Sequence, residues 1–272
     1  MNSSKKTFTQ SVSYVKFKKQ TQDTFDFSVL VCSAVPVLKR NIILFEKGVI
    51  NEITKADYYQ PKGDISSEKQ KNINTDLKRR AQGYKNKLCK YTLLSNFSFF
   101  ESFIYEIISE LISFHGGIDE LINKSKCRTL KNINSDDSSV EKNRRRLRKI
   151  YDVKGHAIGV CKTATNNLKR GDYRFPSEMF SAFGLRVISE KNSNIKSFEI
   201  PDFLTNGFAF ELNDDSVETF HNIRELRNKI AHGDTVNLDL TDITEKCKFL
   251  SSLAKDFDQH LSKHFFISEK FV

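Results

Sequence analysis

The chain has 272 residues, of which 38% are hydrophobic and 23 are Phe, enough apolar material for a sizeable core. Lys and Arg number 44 against 34 Asp and Glu, and the resulting net charge of +10 favours a polyanionic partner such as nucleic acid over an acidic small molecule. Five scattered cysteines, Cys32, Cys89, Cys127, Cys161 and Cys247, form no CxxC pair, which argues against a disulfide framework and a zinc knuckle and suits a reducing cytoplasm.

The opening "MNSSKKTFTQSV" lacks the apolar segment of an export signal. "SVSYVKFKK" alternates like a strand, and "VPVLKRNIILFEKGVINEI" reads as a broken helix. The longest apolar run, "FSVLVCSAVPVL", is interrupted by Pro36 and reads as too short to span a bilayer, so no membrane partner is expected. "YYQPKGDISSEKQKN" is polar, carries Pro61 and Gly63, and reads as a linker. Residues 1–74 thus form an N-terminal extension whose fold, α or mixed, is left open, and residues 75–272 form a second unit that is mainly α.

A long helical pattern starts near Thr75 and ends at His115, Gly116 and Gly117. "GIDELINKSK" predicts a short helix, and a Ser and Glu141 in the following loop resemble a capping box ahead of the basic helix "VEKNRRRLRKIYDVKGHAIGVCK". Pro176 and Pro201 bracket another helix, "SEMFSAFGLRVI", and short extended pieces around "SFEIPDF" and "FAFEL". Two helices close the chain, "DSVETFHNIRELRNKIAH" and "LDLTDITEKCKFLSSLAKDFDQHLSKHF", joined by a turn that starts at Gly233.

Each helical residue advances about 100° around the axis, so facing can be counted. Between Tyr91 and Phe114, residues Leu93, Leu94, Phe97, Phe100, Phe103, Ile104, Ile107, Ile108, Leu111 and Ile112 form one apolar arc. Asn96 and Glu101 break it, and an unpaired carboxylate in that arc is expensive to desolvate. The penultimate helix supplies a partner: Val217, Phe220, Ile223, Leu226 and Ile230 define its apolar side, and Arg227 falls between Phe220 and Ile223. Its opposite face carries Arg224, Glu225, Asn228 and His232. His232 stands in the last turn before Gly233, where a histidine titrating near neutrality suits proton transfer.

Arg227 and His232 lie in "RNKIAH", which resembles the Arg-x4-6-His motif of the HEPN superfamily in its commonest form, Arg-Asn-x-x-Ala-His. "SNFSFFESFIYEI", Ser95 to Ile107, is similar to the "NFxxFE" helix of the branch called RiboL-PSP-HEPN, and the likeness covers about residues 75 to 265. The resemblance implies a HEPN-like helical bundle and a metal-independent endoribonuclease in which two motifs meet across a homodimer. It implies Arg227, His232, Glu101 and Asn228 as the catalytic set, with Glu101 as the positioning counter-ion. Asn96, Arg224 and Lys229 are expected to contact substrate, as are Arg144, Arg145, Arg146 and Arg148 of "RRRLRK". Stand-alone members imply a toxin or antiphage defence effector, with RNA as substrate and an antitoxin or regulatory partner.

No cofactor is implied, since there is no Gly-rich phosphate loop, Gly-x-Ser-x-Gly elbow or paired catalytic carboxylates. His115, His156, His221, His260 and His264 have no metal-ligand spacing and read as surface or packing residues, His221 alone sharing the polar face of the motif helix. Two other readings compete: a non-catalytic HEPN module binding a protein or nucleic acid, and a helical DNA-binding regulator using the Arg144 to Lys149 helix.

Overall fold

The computed structural model describes residues 10–51, 53, 77–121, 123–124 and 195–268. Five helices carry the architecture: α1 (Val12–Glu46), α2 (Tyr84–Phe114), α3 (Ile200–Phe208), α4 (Asp214–Ala231) and α5 (Leu240–His264). A 3-10 turn over Ser197–Glu199 leads into α3, and shorter helical turns span 77–81 and 118–121. Among the described residues there is no strand. The basic helix over 140–162 with its capping box, and the helix after Pro176, lie outside the described residues.

α2 is the axis on which α1, α4 and α5 pack. Its apolar arc is buried as the helical count requires, with Leu93, Phe97, Phe100, Ile104, Ile107 and Leu111 fully enclosed. Phe rings join the layers: Phe97 and Phe100 of α2 meet Phe220 of α4 at centroid distances of 5.7 and 5.8 Å, and Phe17 of α1 meets Phe103 at 5.4 Å. Behind them Phe208 of α3 packs edge-on against Phe257 of α5 at 5.3 Å.

α1 corrects two expectations. "SVSYVKFKK" is the first turns of this helix, in which Tyr14 and Phe17, one turn apart, are buried while Val12 and Val15 are 75% and 53% exposed. A period of three is hard to tell from alternation over so short a run. Pro36 does not break the helix, and it sits on an exposed face where its ring meets solvent rather than a neighbour. The same continuity revises the length of the apolar run: α1 holds an 18-residue window of mean hydropathy 1.6, long and apolar enough by composition to cross a membrane. In the bundle it lies antiparallel to α2, with Lys16 on Glu106 at 2.5 Å and Ser28 on Thr92 at 3.2 Å. "SFEIPDF" is also helical, with Pro201 in the first turn of α3, where the missing N–H costs nothing.

Carboxylates from two helices hold the start of α1. Glu110 of α2 accepts from the backbone N–H groups of Val12 and Ser13 at 3.0 and 2.9 Å and from the Ser13 hydroxyl at 2.6 Å. The N-cap hydroxyl of Ser11 accepts from Tyr14 N–H, and Ser11 itself donates its N–H, at 3.1 Å, and its hydroxyl to Asp258 of α5. Asp258 is wholly buried. Burial pushes its carboxyl above the ordinary range, opposed by the Ser11 hydrogen bonds, while the nearby Glu110 charge adds to the rise.

Asp258→Ala leaves the Ser11 donors without an acceptor and is expected to cost about 1–3 kcal/mol in urea denaturation. A raised carboxyl favours the folded state most when protonated, and that contribution is lost as pH rises from the ordinary value of 3.8 through the raised one. Asp258→Asn, which keeps an oxygen for Ser11, is therefore expected to flatten the stability curve between those two values.

Candidate functional site

Two amphipathic helices cross with one charge each in the seam. Arg227 Nη2 of α4 reaches Glu101 Oε2 of α2 at 3.1 Å, with the side chains 27% and 17% exposed. The guanidinium is held on two further sides: Nη1 donates to Asn228 Oδ1 at 3.0 Å, and its carbon lies 5.4 Å from the centroid of the Phe97 ring. Burial raises the Glu101 pKa, and the Arg227 charge and a hydrogen bond from Ser197 act against that rise. Arg227 Nε is buried with no hydrogen-bond partner among the described residues. The remaining guanidinium N–H groups give this cation capacity beyond the ion pair.

α4 begins at Asn213, whose side chain accepts from Ser216 N–H, and carries Asp214 and Asp215 in its first turn, where the helix dipole favours acids. It ends in a Schellman turn. Gly233 N–H donates to Ile230 O at 3.1 Å and Asp234 N–H to Lys229 O at 3.0 Å, with Gly233 at φ +86°. His232 is the C-cap and is exposed, and its ring makes no hydrogen bond to a described residue. Five residues after Arg227, it lies about 7.5 Å further along the axis. Arg227 turns into the seam with α2, and His232 stands at the helix tip in solvent. Asn86 of α2 fixes the chain beyond, donating to Val236 O and accepting from Leu238 N–H, both at 3.2 Å.

The other expected site residues divide. Arg224 is partly buried, its Nη2 3.6 Å from Glu225 Oε1, and Lys229 is exposed in the last turn. Asn96 is drawn away from this group: it is buried, its amide nitrogen donates to Thr92 O at 2.9 Å, and it lines a groove among α1, α2 and α5 that no α4 residue enters. Arg144, Arg145, Arg146 and Arg148 lie outside the described residues, as does His156. His221 sets its ring 5.8 Å from Phe220, and its Nδ1 is buried without a hydrogen-bond partner among the described residues. His115 and His260 bond backbone, at Phe265 O and Phe208 O.

Three neighbours of the ion pair were not singled out from sequence. Phe97 belongs to the apolar arc, and its use as a platform for Arg227 depends on the α2–α4 crossing. Ser197 arrives from a segment about a hundred residues away in the chain. Tyr105, one turn beyond Glu101, donates to Ile195 O and so pins the segment that brings Ser197.

The sequence profile of the RiboL-PSP-HEPN family matches residues 56–263, and the chain belongs to that family. Comparison with curated proteins and with solved structures found no match. The matched span takes in α2 to α5 and begins ahead of residue 75, where the sequence likeness was placed; α1 precedes it.

Gly233 adopts a left-handed conformation with open space where a Cβ would stand, so strain alone opposes a side chain there. Gly233→Ala is expected to lower stability by about 1–2 kcal/mol in chemical denaturation, and Gly233→Asn by less, because Asn tolerates this region.

Proposed function

We propose that this protein is a metal-independent endoribonuclease in which Arg227 and His232 act on the RNA backbone. The observation that carries this reading is the pairing of a guanidinium anchored by Glu101 with an unengaged histidine at the end of the same helix. RNA cleavage without metal needs a base to take the ribose 2′-OH proton, charge stabilisation at phosphorus, and an acid for the departing 5′-oxygen. The 2′-oxygen bonds to phosphorus, the bond from phosphorus to the 5′-oxygen breaks, and the products are a 2′,3′-cyclic phosphate and a 5′-hydroxyl. Arg227 would neutralise charge on the phosphoryl oxygens, and His232 would carry one of the two protons.

One chain offers one histidine in this position, and the reaction asks for two proton carriers. A two-fold dimer with the ends of its α4 helices facing each other supplies the second from the partner copy. Arg224 and Lys229, on the same helix, suit the phosphates on either side of the cut, and the basic run Arg144, Arg145, Arg146 and Arg148 supplies further charge suited to RNA. Family resemblance favours a toxin or antiphage effector, restrained by an antitoxin or a regulatory partner, in the cytoplasm.

His232→Ala is expected to lower cleavage of total RNA at least 100-fold, as loss of a general acid or base does, with an unchanged melting temperature. Parent activity should persist in EDTA and leave 2′,3′-cyclic ends. A variant that cuts at the parent rate, or parent activity abolished by chelation, contradicts this chemistry. Light scattering at micromolar concentration should give twice the monomer mass, and an active monomer would exclude a shared site.

A further inference from the structure

The groove that takes in Asn96 has a volume of about 500 Å³, within the range of small-molecule sites. Its walls come from three helices: Phe25, Val29 and Cys32 of α1, Thr92 and Asn96 of α2, and Leu240, Ile243 and Cys247 of α5. Two of these belong to the span matched by the family, and α1 lies outside it. Phe25 and Val29 are 59% and 47% exposed, so apolar surface on this wall stays in water. The Cys247 thiol is pushed up to about 11, chiefly by burial, and stays protonated and apolar in character at neutral pH.

Asn96 gives the groove a polar address. It is only 5% exposed, and one of its two amide N–H donors is taken by the Thr92 carbonyl, which leaves the second N–H and the oxygen for a ligand. No described residue donates to that oxygen. The Thr92 and Ser28 hydroxyls are engaged with each other at 3.2 Å, and Ser28 donates on to Thr24 O, so the Thr92 hydroxyl gives its proton to Ser28 and adds acceptor capacity beside the Asn96 amide. Lys248, exposed, supplies a cation to the lining.

We infer that this groove is a binding site for a small amphipathic molecule: an aromatic or aliphatic body against Phe25, Val29, Ile243 and Cys247, one N–H or O–H donor to Asn96 Oδ1, and one anionic group facing Lys248. A second copy of the chain fits less well, because a groove of about 500 Å³ with a buried amide in its wall matches a compact ligand rather than a helix face.

Anilinonaphthalene sulfonate carries all three features, and its fluorescence rises on leaving water. Titration of the full chain should show saturable binding of one probe per chain. Thr244→Trp, at an exposed position on the groove wall where folding is not at risk, should weaken binding at least tenfold, and Asn96→Leu at least fivefold. Lys248→Glu should weaken the sulfonate probe and leave the uncharged phenylnaphthylamine unaffected. Non-saturating binding, or affinity unchanged in both Thr244→Trp and Asn96→Leu, overturns the site. So does a dimer that excludes the probe and dissociates in Thr244→Trp, which would show that a second copy fills the groove.

Discussion

The contact between Arg227 and Glu101 is the constraint around which the rest is arranged. A carboxylate placed in the apolar arc of α2 has lost most of its water, and burial alone would drive it toward the neutral form. A guanidinium placed in the apolar side of α4 is likewise largely withdrawn from water. Each residue makes the other tolerable, and their meeting fixes the rotation and axial register of α4 on α2. With α4 fixed, its Schellman end is fixed too, and His232 is presented at one place on the surface.

α2 serves both ends of this arrangement. Its Phe97 and Phe100 pack against Phe220 of α4, while Asn86 near its start holds the chain that leaves the motif. On its other side it receives α1, whose first turn is anchored by Glu110 and Asp258. Both carboxylates face backbone N–H groups at a helix N-terminus, where the dipole favours negative charge. The molecule therefore keeps these three acids in use: Glu101 for a cation, and Glu110 and the buried Asp258 for a helix end.

What the sequence made legible follows from local periodicity. Helices α2, α4 and α5 have long apolar stripes, and counting residues is enough to set Glu101 and Arg227 each inside an apolar arc. Gly233 after a periodic stretch marked the end of α4. Legibility failed where local pattern is weak or misleading. The inner face of α1 between Phe17 and Ile42 is lined by Thr21, Thr24 and Ser28 while Phe25, Phe27 and Leu30 face out, so no apolar stripe announces the packing side. Asn96 sits in the same arc as Glu101, and the wheel could not say that its nitrogen turns back on Thr92 O. Ser197 and Tyr105 depend on contacts across about ninety residues or more, which periodicity cannot report.

The most direct measurement is a double-mutant cycle on Arg227→Met and Glu101→Leu, followed by urea denaturation and by RNA cleavage. Each single change strands a charge in the seam and is expected to cost about 2–3 kcal/mol, somewhat below the 3–5 of a fully buried pair because both groups keep some solvent. The double change should recover much of that loss, yet remain inactive, since the guanidinium proposed to neutralise the phosphoryl group is gone. Additive costs in stability would mean that the two side chains do not depend on each other, and an active double variant would remove Arg227 from the chemistry; either result contradicts the account.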